Sequence, residues 1–546
     1  MPDPKPPVWG DYDRDDPFPL FARVRSEGPV HEVTLPDGQR AWLVVRYGEA
    51  RAALSDLRLS KDMHAALARD GAVVAEGLPG PAFARHMLSV DPPDHTRLRR
   101  LAATAFSRPG ITALRPRVQA LVDGLLDELE SRGDAAVDLV AGLAFPLPFT
   151  VISELLGVPE ADRAELGTWF TTLLAPASAP EPPPTAVAAS ANVVRYLTEL
   201  LDRKRVEPGP DLVTDLVCAG DEHDALTKQE MLSTIFQLMV AGHDTTTSLI
   251  GNGMVALLTH PEQRAVLTAD PALLPQAIEE MLRWDAPVPH STFRYTTHDV
   301  QLGGTTIPAY AQVIISLAAA NRDPNRYRHA ESFDITRSDN SHLAFGHGIH
   351  HCLGARLARM EGTIAFTALL GRYPAMRLAV PRSALRWDHG DGLVLRGLAE
   401  LPVVLRPSGR QRPRAQRFHC GVLTWGFPVC ADNRATMGDL SCPAGRPLQP
   451  TGLEHVLSGG CCFLLVGHRK ELGRRRLVGH EDPQHRVDQN LAPGQDQQDQ
   501  HEQQPRGPRV EADAAAQPGD HACQYPALLR PDKACLGEGR VDGFHH

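Results

Sequence analysis

Phe345-Gly346-His347-Gly348-Ile349-His350-His351-Cys352-Leu353-Gly354 is the stretch on which the reading of this chain turns. Cys352 stands among glycines, just ahead of the helical run Ala355–Thr363. Glycines let backbone N–H groups come close to a sulfur that bulkier residues would shield, and such donors favour the thiolate. The dipole at a helix N-terminus favours the same anion. The pattern therefore suits a sulfur kept charged, the form of cysteine that binds metals. A Gly-rich turn around an inert buried cysteine would not need six specified residue types in ten positions. Residues 1–408 contain one other cysteine, Cys218. Two lone thiols in so long a stretch argue against a disulfide framework and point to a reducing, cytoplasmic setting.

Working outward, Glu280 and Arg283 in Glu280-Met281-Leu282-Arg283 lie at i,i+3 and share a helix face. Phe333-Asp334-Ile335-Thr336-Arg337 follows, still ahead of the cysteine. Further upstream, Thr227-Lys228-Gln229-Glu230 is a capping-box pattern, and the apolar run behind it continues to Thr259 before His260-Pro261. A helix of that length, apolar on nearly all sides, has to cross the interior of a large domain. At its middle stands Ala241-Gly242-His243-Asp244-Thr245-Thr246. A glycine followed by hydroxyl residues weakens a helix interior, and the defect is expected to open a groove there, with Asp244 and Thr245 placed to relay protons. Nearer the N-terminus, His95 and Arg99 in Asp91-Pro92-Pro93-Asp94-His95-Thr96-Arg97-Leu98-Arg99 sit at i,i+4 and face one way.

The cysteine segment resembles the F-G-x-G-x-H-x-C-x-G haem-binding signature of the cytochrome P-450 family. The Glu280/Arg283 pair resembles the family's E-x-x-R, Arg337 its third arginine, and Ala241–Thr246 its A-G-x-[DE]-T-[TS] motif. The resemblance covers about residues 8–407 and looks closest to the actinomycete enzymes that tailor natural products. It implies a mainly α fold with a smaller β part, one large domain whose long helix crosses the haem. It implies haem b with Cys352 as axial ligand of the iron, a ligation that favours O–O bond cleavage. Phe345 and Gly346 would shape the loop around the cofactor, and His95, Arg99, Arg294 and His350 would bind its two propionates. Glu280, Arg283 and Arg337 would pin the segment that presents the cysteine. The activity implied is insertion of one atom of dioxygen into a lipophilic small molecule, a macrolide or other polyketide, a steroid or a terpenoid. A haem sensor or sequestering protein without turnover would not need Asp244 and Thr245. A peroxygenase or oxidative-coupling member of the family would tend to replace them.

The chain has 546 residues and a net charge of −10, which gives no electrostatic footprint for nucleic acid. No run approaches the roughly 18 apolar residues of a membrane helix, and the polar start shows no secretory signal. Helical patterns cover Thr96–Ala105, Val118–Glu130, Pro146–Leu156 and Ala191–Lys204. Strands are expected at Val30–Val33, Ala41–Val45 and Val313–Ser316, and around Leu393–Leu405. The catalytic domain is expected to be 1–408. In 409–546 the periodicity fades, basic and acidic residues nearly balance, and eight glutamines crowd between Gln484 and Gln504. That extension is expected to be disordered or non-functional read-through. It carries no dinucleotide fingerprint and no plant-type iron–sulfur spacing, so a monomer served by a separate ferredoxin or flavodoxin with its NAD(P)H reductase is implied. Specificity is expected in Ser60–Val90, Trp169–Tyr196, Val288–Phe293 and Leu393-Val394, with His290 either reading the substrate or bonded within a strand.

Overall fold

The computed structural model describes residues 9–405, apart from short internal stretches at 11, 37, 64–80, 134–135, 175–182, 221–225 and 389–392. The C-terminal extension, most of the Pro-rich break after Leu174 and much of the 60–90 segment lie outside the described residues.

Helices dominate, and the one begun at Thr227 organises them. It runs Lys228–Thr259, 32 residues, or about 48 Å at helical rise. Both halves of the capping box form, with Glu230 N donating to Thr227 Oγ1 at 3.1 Å and Thr227 N to Glu230 Oε2 at 3.0 Å. The Glu230 carboxylate, itself buried, also accepts from Arg97 on the neighbouring helix Asp94–Ala103. One carboxylate thus satisfies a helix end and joins two helices. At the far end His260 leads into Pro261, which starts the next helix because its missing N–H is not needed at that position.

Two glycines set how closely neighbours approach. A Cβ on Gly242 would meet Ile152 Cγ1 of the helix Pro146–Leu155 at 2.8 Å. One on Gly253 would meet the Phe366 ring at 2.7 Å and Met281 Sδ at 2.8 Å. Phe366 belongs to the helix Ala355–Arg372, which begins three residues after Cys352, so the long helix packs directly on the element that follows the cysteine. Apolar side chains from all these helices form one large core.

The β part is small. A five-stranded sheet has the order Val30–Thr34, Arg40–Val44, Gln312–Ile315, Arg294–Thr296, Leu59–Ser60. The first pair is the expected antiparallel hairpin, in register Val30↔Val44. The second strand runs parallel to Gln312–Ile315, which itself pairs with the strand opened by Arg294. Each sequence-predicted helix is present, two of them longer than expected: Arg108–Ser131 and Pro184–Val206. The first of these begins ahead of the expected start at Val118 and runs through Pro116, because the buried stripe Ile111, Val118, Val122, Leu126 and Leu129 outweighs one lost backbone hydrogen bond. Among the described residues no single helix is long and apolar enough to cross a membrane.

Candidate functional site

The cysteine loop is built by its glycines. Gly346 and Gly348 take φ of +71° and +76°, a region that side chains with a Cβ avoid. Gly348 also lies against the helix Tyr47–Ser55, where a Cβ would come within 2.9 Å of Leu54 O. The loop closes with Cys352 N donating to Phe345 O at 2.8 Å. Gly354 then caps the helix Ala355–Arg372. Burial pushes the Cys352 thiol up, while the Gly354 N–H, the Arg99 and Arg359 charges and the Ala355 N–H pull the other way. The net direction is upward, so the protein alone keeps a thiol, and a cation on the sulfur is what would make it a thiolate. Although packed atoms surround it, the residue keeps accessible surface, so it lines a recess.

Behind the loop lies a buried ion network. Glu280 and Arg283 have fully buried side chains and meet in two hydrogen bonds, at 2.7 and 2.8 Å. Arg283 also donates to the carbonyls of Asn321, Ala330 and Ser332. Glu280 further accepts from Asp334 N, and Arg337 joins at 3.2 Å. The three sequence-predicted residues therefore meet, and backbone carbonyls take up the remaining donors of Arg283. A second brace was missed: Glu279 takes two bonds from Arg359 and one from His342. Burial opposes the Glu279 charge, but these partners win and hold its pKa down to about 2. Arg359 also lies 4.4 Å from the centre of the Phe345 ring, tying helix to loop.

On another side of the loop, four predicted donors converge. The rings of His95 and His350 are 4.4 Å apart between centroids. Arg294 is buried and donates to Leu54 O and Leu59 O, and Arg99 donates to His351 O at 2.6 Å. Lys61, not singled out in the sequence, is buried beside them and holds Thr292 Oγ1 and Phe293 O. Here the polar accounting does not close: His95 Nε2, His350 Nε2 and Arg294 Nε are buried without a hydrogen-bond partner among the described residues. Burial first, then the charges of Arg294, His95, Lys61 and Arg99, drive the His350 pKa down to about 2. Asp91, engaged by Ser60 and the Lys61 amide, acts on Lys61, His95 and Arg294, and Asp56 also acts on Arg294. Unmatched buried nitrogens in a positive field fit a bound dianion, whose charge would favour the protonated imidazoles, and the partly accessible Cys352 alongside fits an iron held by thiolate. The residues present thus suit a haem with two carboxylate arms.

The Ala241–Thr246 segment departs from expectation in one respect. Its helix is not interrupted. Gly242 serves the close approach to Ile152 rather than a break, and Thr245 Oγ1 donates to Ala241 O at 2.7 Å in place of disturbing the helix. Ala241 and Thr245 nevertheless keep accessible surface midway along an otherwise buried element. Asp244 contacts buried His243, with Nε2 and Oδ1 2.9 Å apart. His290 is fully buried; Trp9 Nε1 donates to its Nε2 and its Nδ1 meets Leu393 O at 2.9 Å. Of its two expected roles it takes the structural one.

The family model described as Cytochrome P450 matches residues 192–376. The chain is similar to the cytochrome P450 monooxygenase PikC of Streptomyces venezuelae, 47% identical over 400 residues that cover 73% of this chain and 93% of the relative. It is 41% identical to the 6-deoxyerythronolide B hydroxylase of Saccharopolyspora erythraea, over 73% of this chain and 98% of that one. Among solved structures, the tirandamycin C-bound P450 monooxygenase TamI superposes with a TM-score of 0.67 at 41% identity, over 73% of this chain and all of TamI.

Proposed function

The chain belongs to the cytochrome P450 family and is a haem-thiolate monooxygenase, and from that premise we propose which of its residues do the work. One observation carries the assignment. Cys352, partly accessible at a helix N-terminus, stands beside the Nε2 atoms of His95 and His350 and the Nε of Arg294, which find no partner among the described residues. Cys352 would ligate the iron of haem b, and His95, Arg99, Arg294 and His350 would take its propionates. Phe345 and Gly346 form the loop that shields the sulfur. Glu280, Arg283 and Arg337 hold the segment that presents it. When bound and reduced, the haem activates dioxygen so that one oxygen atom enters the substrate and the other leaves as water. Asp244 and Thr245 supply the protons for that division, Thr245 through a hydroxyl now resting on Ala241 O and Asp244 through its carboxyl.

Catalysis on this reading belongs to residues 1–408, with 409–546 an extension that takes no part. A chain ending at Pro407 should still load haem. Electrons come from a ferredoxin or flavodoxin served by an NAD(P)H reductase. A basic cleft of about 230 Å³ supports such a donor: Arg108, Arg115, Arg356 and Arg359 line it, the last two on the helix that leaves Cys352. Small electron carriers that dock on cationic surfaces are acidic. The substrate is a bulky lipophilic natural product, since the similar proteins include one named for hydroxylating 6-deoxyerythronolide B and one solved with tirandamycin C.

The deciding measurement is the carbon monoxide difference spectrum. Cys352→His should abolish the red-shifted band that thiolate ligation gives, and a retained band would remove Cys352 from its role. A spin-state titration with macrolides, steroids and terpenoids then ranks the substrate classes.

A further inference from the structure

His243 lies inside the long helix, one residue before Asp244, and its side chain is 2% exposed while the Asp244 side chain keeps 27% of its surface. Phe145, Phe149 and Phe170 ring the imidazole edge-on at 5.5 to 6.3 Å between centroids. Its Nδ1 is 2.7 Å from Met239 O. A carbonyl oxygen only accepts, so Nδ1 carries a hydrogen. Nε2 then faces Asp244 Oδ1 at 2.9 Å, a distance at which two bare lone pairs repel. A proton lies between them. The pair is imidazolium with carboxylate, or neutral imidazole with carboxylic acid, and in either form it holds one proton more than a neutral histidine facing a free carboxylate.

We propose that His243 is a positioning residue that stores a proton jointly with Asp244 and fixes the direction of its carboxyl, so that the acid beside Thr245 is loaded before each delivery. This rests on the reading of Asp244 and Thr245 as the proton relay and adds the group behind them. The proton balance is simple. Asp244 gives one proton toward the oxygen site and is left as carboxylate opposite a neutral Nε2. That emptied pair sets two acceptors against each other inside a ring of phenylalanines, which drives recapture of a proton from water. His243 has no surface of its own for that exchange, so both directions pass through the exposed part of Asp244. Burial works against a charged imidazole, but the Asp244 charge and hydrogen bond outweigh it, and His243 holds its proton above the ordinary histidine range. Asp244 is the charged group acting on the ring; the helices packed against it, Pro146–Leu155 and Glu160–Leu174, present Phe149 and Phe170.

The test reads the proton directly and then its use. Holoenzyme carrying ¹³C in its histidine rings is titrated in the diamagnetic ferrous carbon monoxide state. The His243 signal is the one missing from His243→Phe, which fills the aromatic ring of neighbours, or from His243→Gln should the first fail to load haem. It should titrate above the ordinary histidine range in wild type and fall by a pH unit or more in Asp244→Asn. In turnover, His243→Phe should lower product per electron pair by about tenfold, the excess appearing as hydrogen peroxide, with KM for substrate little changed. A His243 titration indifferent to Asp244→Asn overturns the shared proton. Coupling retained in His243→Phe but lost in Asp244→Asn and Thr245→Ala overturns the role of His243 and leaves the relay standing. Coupling retained in Asp244→Asn and Thr245→Ala removes the relay itself, and this inference with it.

Discussion

Two buried charge clusters flank the cysteine loop, and they differ in whether they close. Glu280, Arg283 and Arg337 form a knot in which the carboxylate accepts from both arginines and Arg283 spends its remaining donors on backbone carbonyls. His95, Arg99, Arg294 and His350 form a group in which His95 and Arg294 are buried and Arg99 and His350 partly so, with atoms left over. The first is complete without any ligand, and its function is to hold a shape. The second is incomplete as protein alone, and what it lacks describes what it binds. Completeness of the hydrogen-bond count thus separates architecture from recognition more sharply than residue type does, since both clusters are rich in arginine.

The sharpest way to break that contrast is to open the closed cluster. Glu280→Ala would strand two buried arginines, and a loss of about 3–5 kcal/mol in denaturant unfolding, with little haem-loaded protein recovered, is expected. Glu361 challenges the rule from outside both clusters. It is fully buried with Oε2 unpartnered, and burial lifts its carboxyl to about 8. The folded state therefore binds this proton more tightly than the unfolded chain does. Its contribution is intact below the usual glutamate range near 4.5 and is lost as pH rises through about 8. Glu361→Gln should come close to wild type near pH 5 and be more stable by about 4–5 kcal/mol above pH 8, measured by melts across that range. A parallel pair of curves would mean that Glu361 has a partner in solution.

Opening the incomplete cluster should behave in the opposite way. His350→Phe removes an unmatched ring nitrogen, so apoprotein stability should hardly change while haem dissociates about tenfold faster or more, read by transfer to apomyoglobin. A destabilised apoprotein with unchanged haem retention would place His350 with the architectural cluster. The smallest effect is expected at the surface. Arg115→Glu in the basic cleft should slow reduction by an acidic ferredoxin severalfold at low salt and not at high salt.

How far the sequence could be read follows the range of the interactions involved. The cysteine loop was legible because its glycine backbone angles and its helix start lie within ten residues. Thr227 was legible because a capping box is closed by Glu230 three positions on. The Glu279–Arg359–His342 brace was not, because its members lie up to 80 residues apart and carry no local pattern. Lys61 was hidden for the same reason, its partners Thr292 and Phe293 coming from another part of the chain. Gly242 was misread as a weak point because the reason for it, the side chain of Ile152, belongs to a different helix. Local chemistry is written locally, and packing is written across the chain.

Glu230 has a mechanical consequence. It seals the start of the long helix and grips Arg97 on the short helix that also carries His95 and Arg99. A rod fastened at its tip to a neighbour cannot slide along its own axis without undoing the fastening. The span from Glu230 to Asp244 is 14 residues, about 21 Å of stiff helix. Asp244 and the His95 helix therefore share one datum, in the way two parts bolted to the same bracket keep their spacing when the frame flexes. Registration of the acid against the cofactor cradle is thus set where Glu230 meets Arg97, within the cradle's own helix and 14 residues along the rod from the acid.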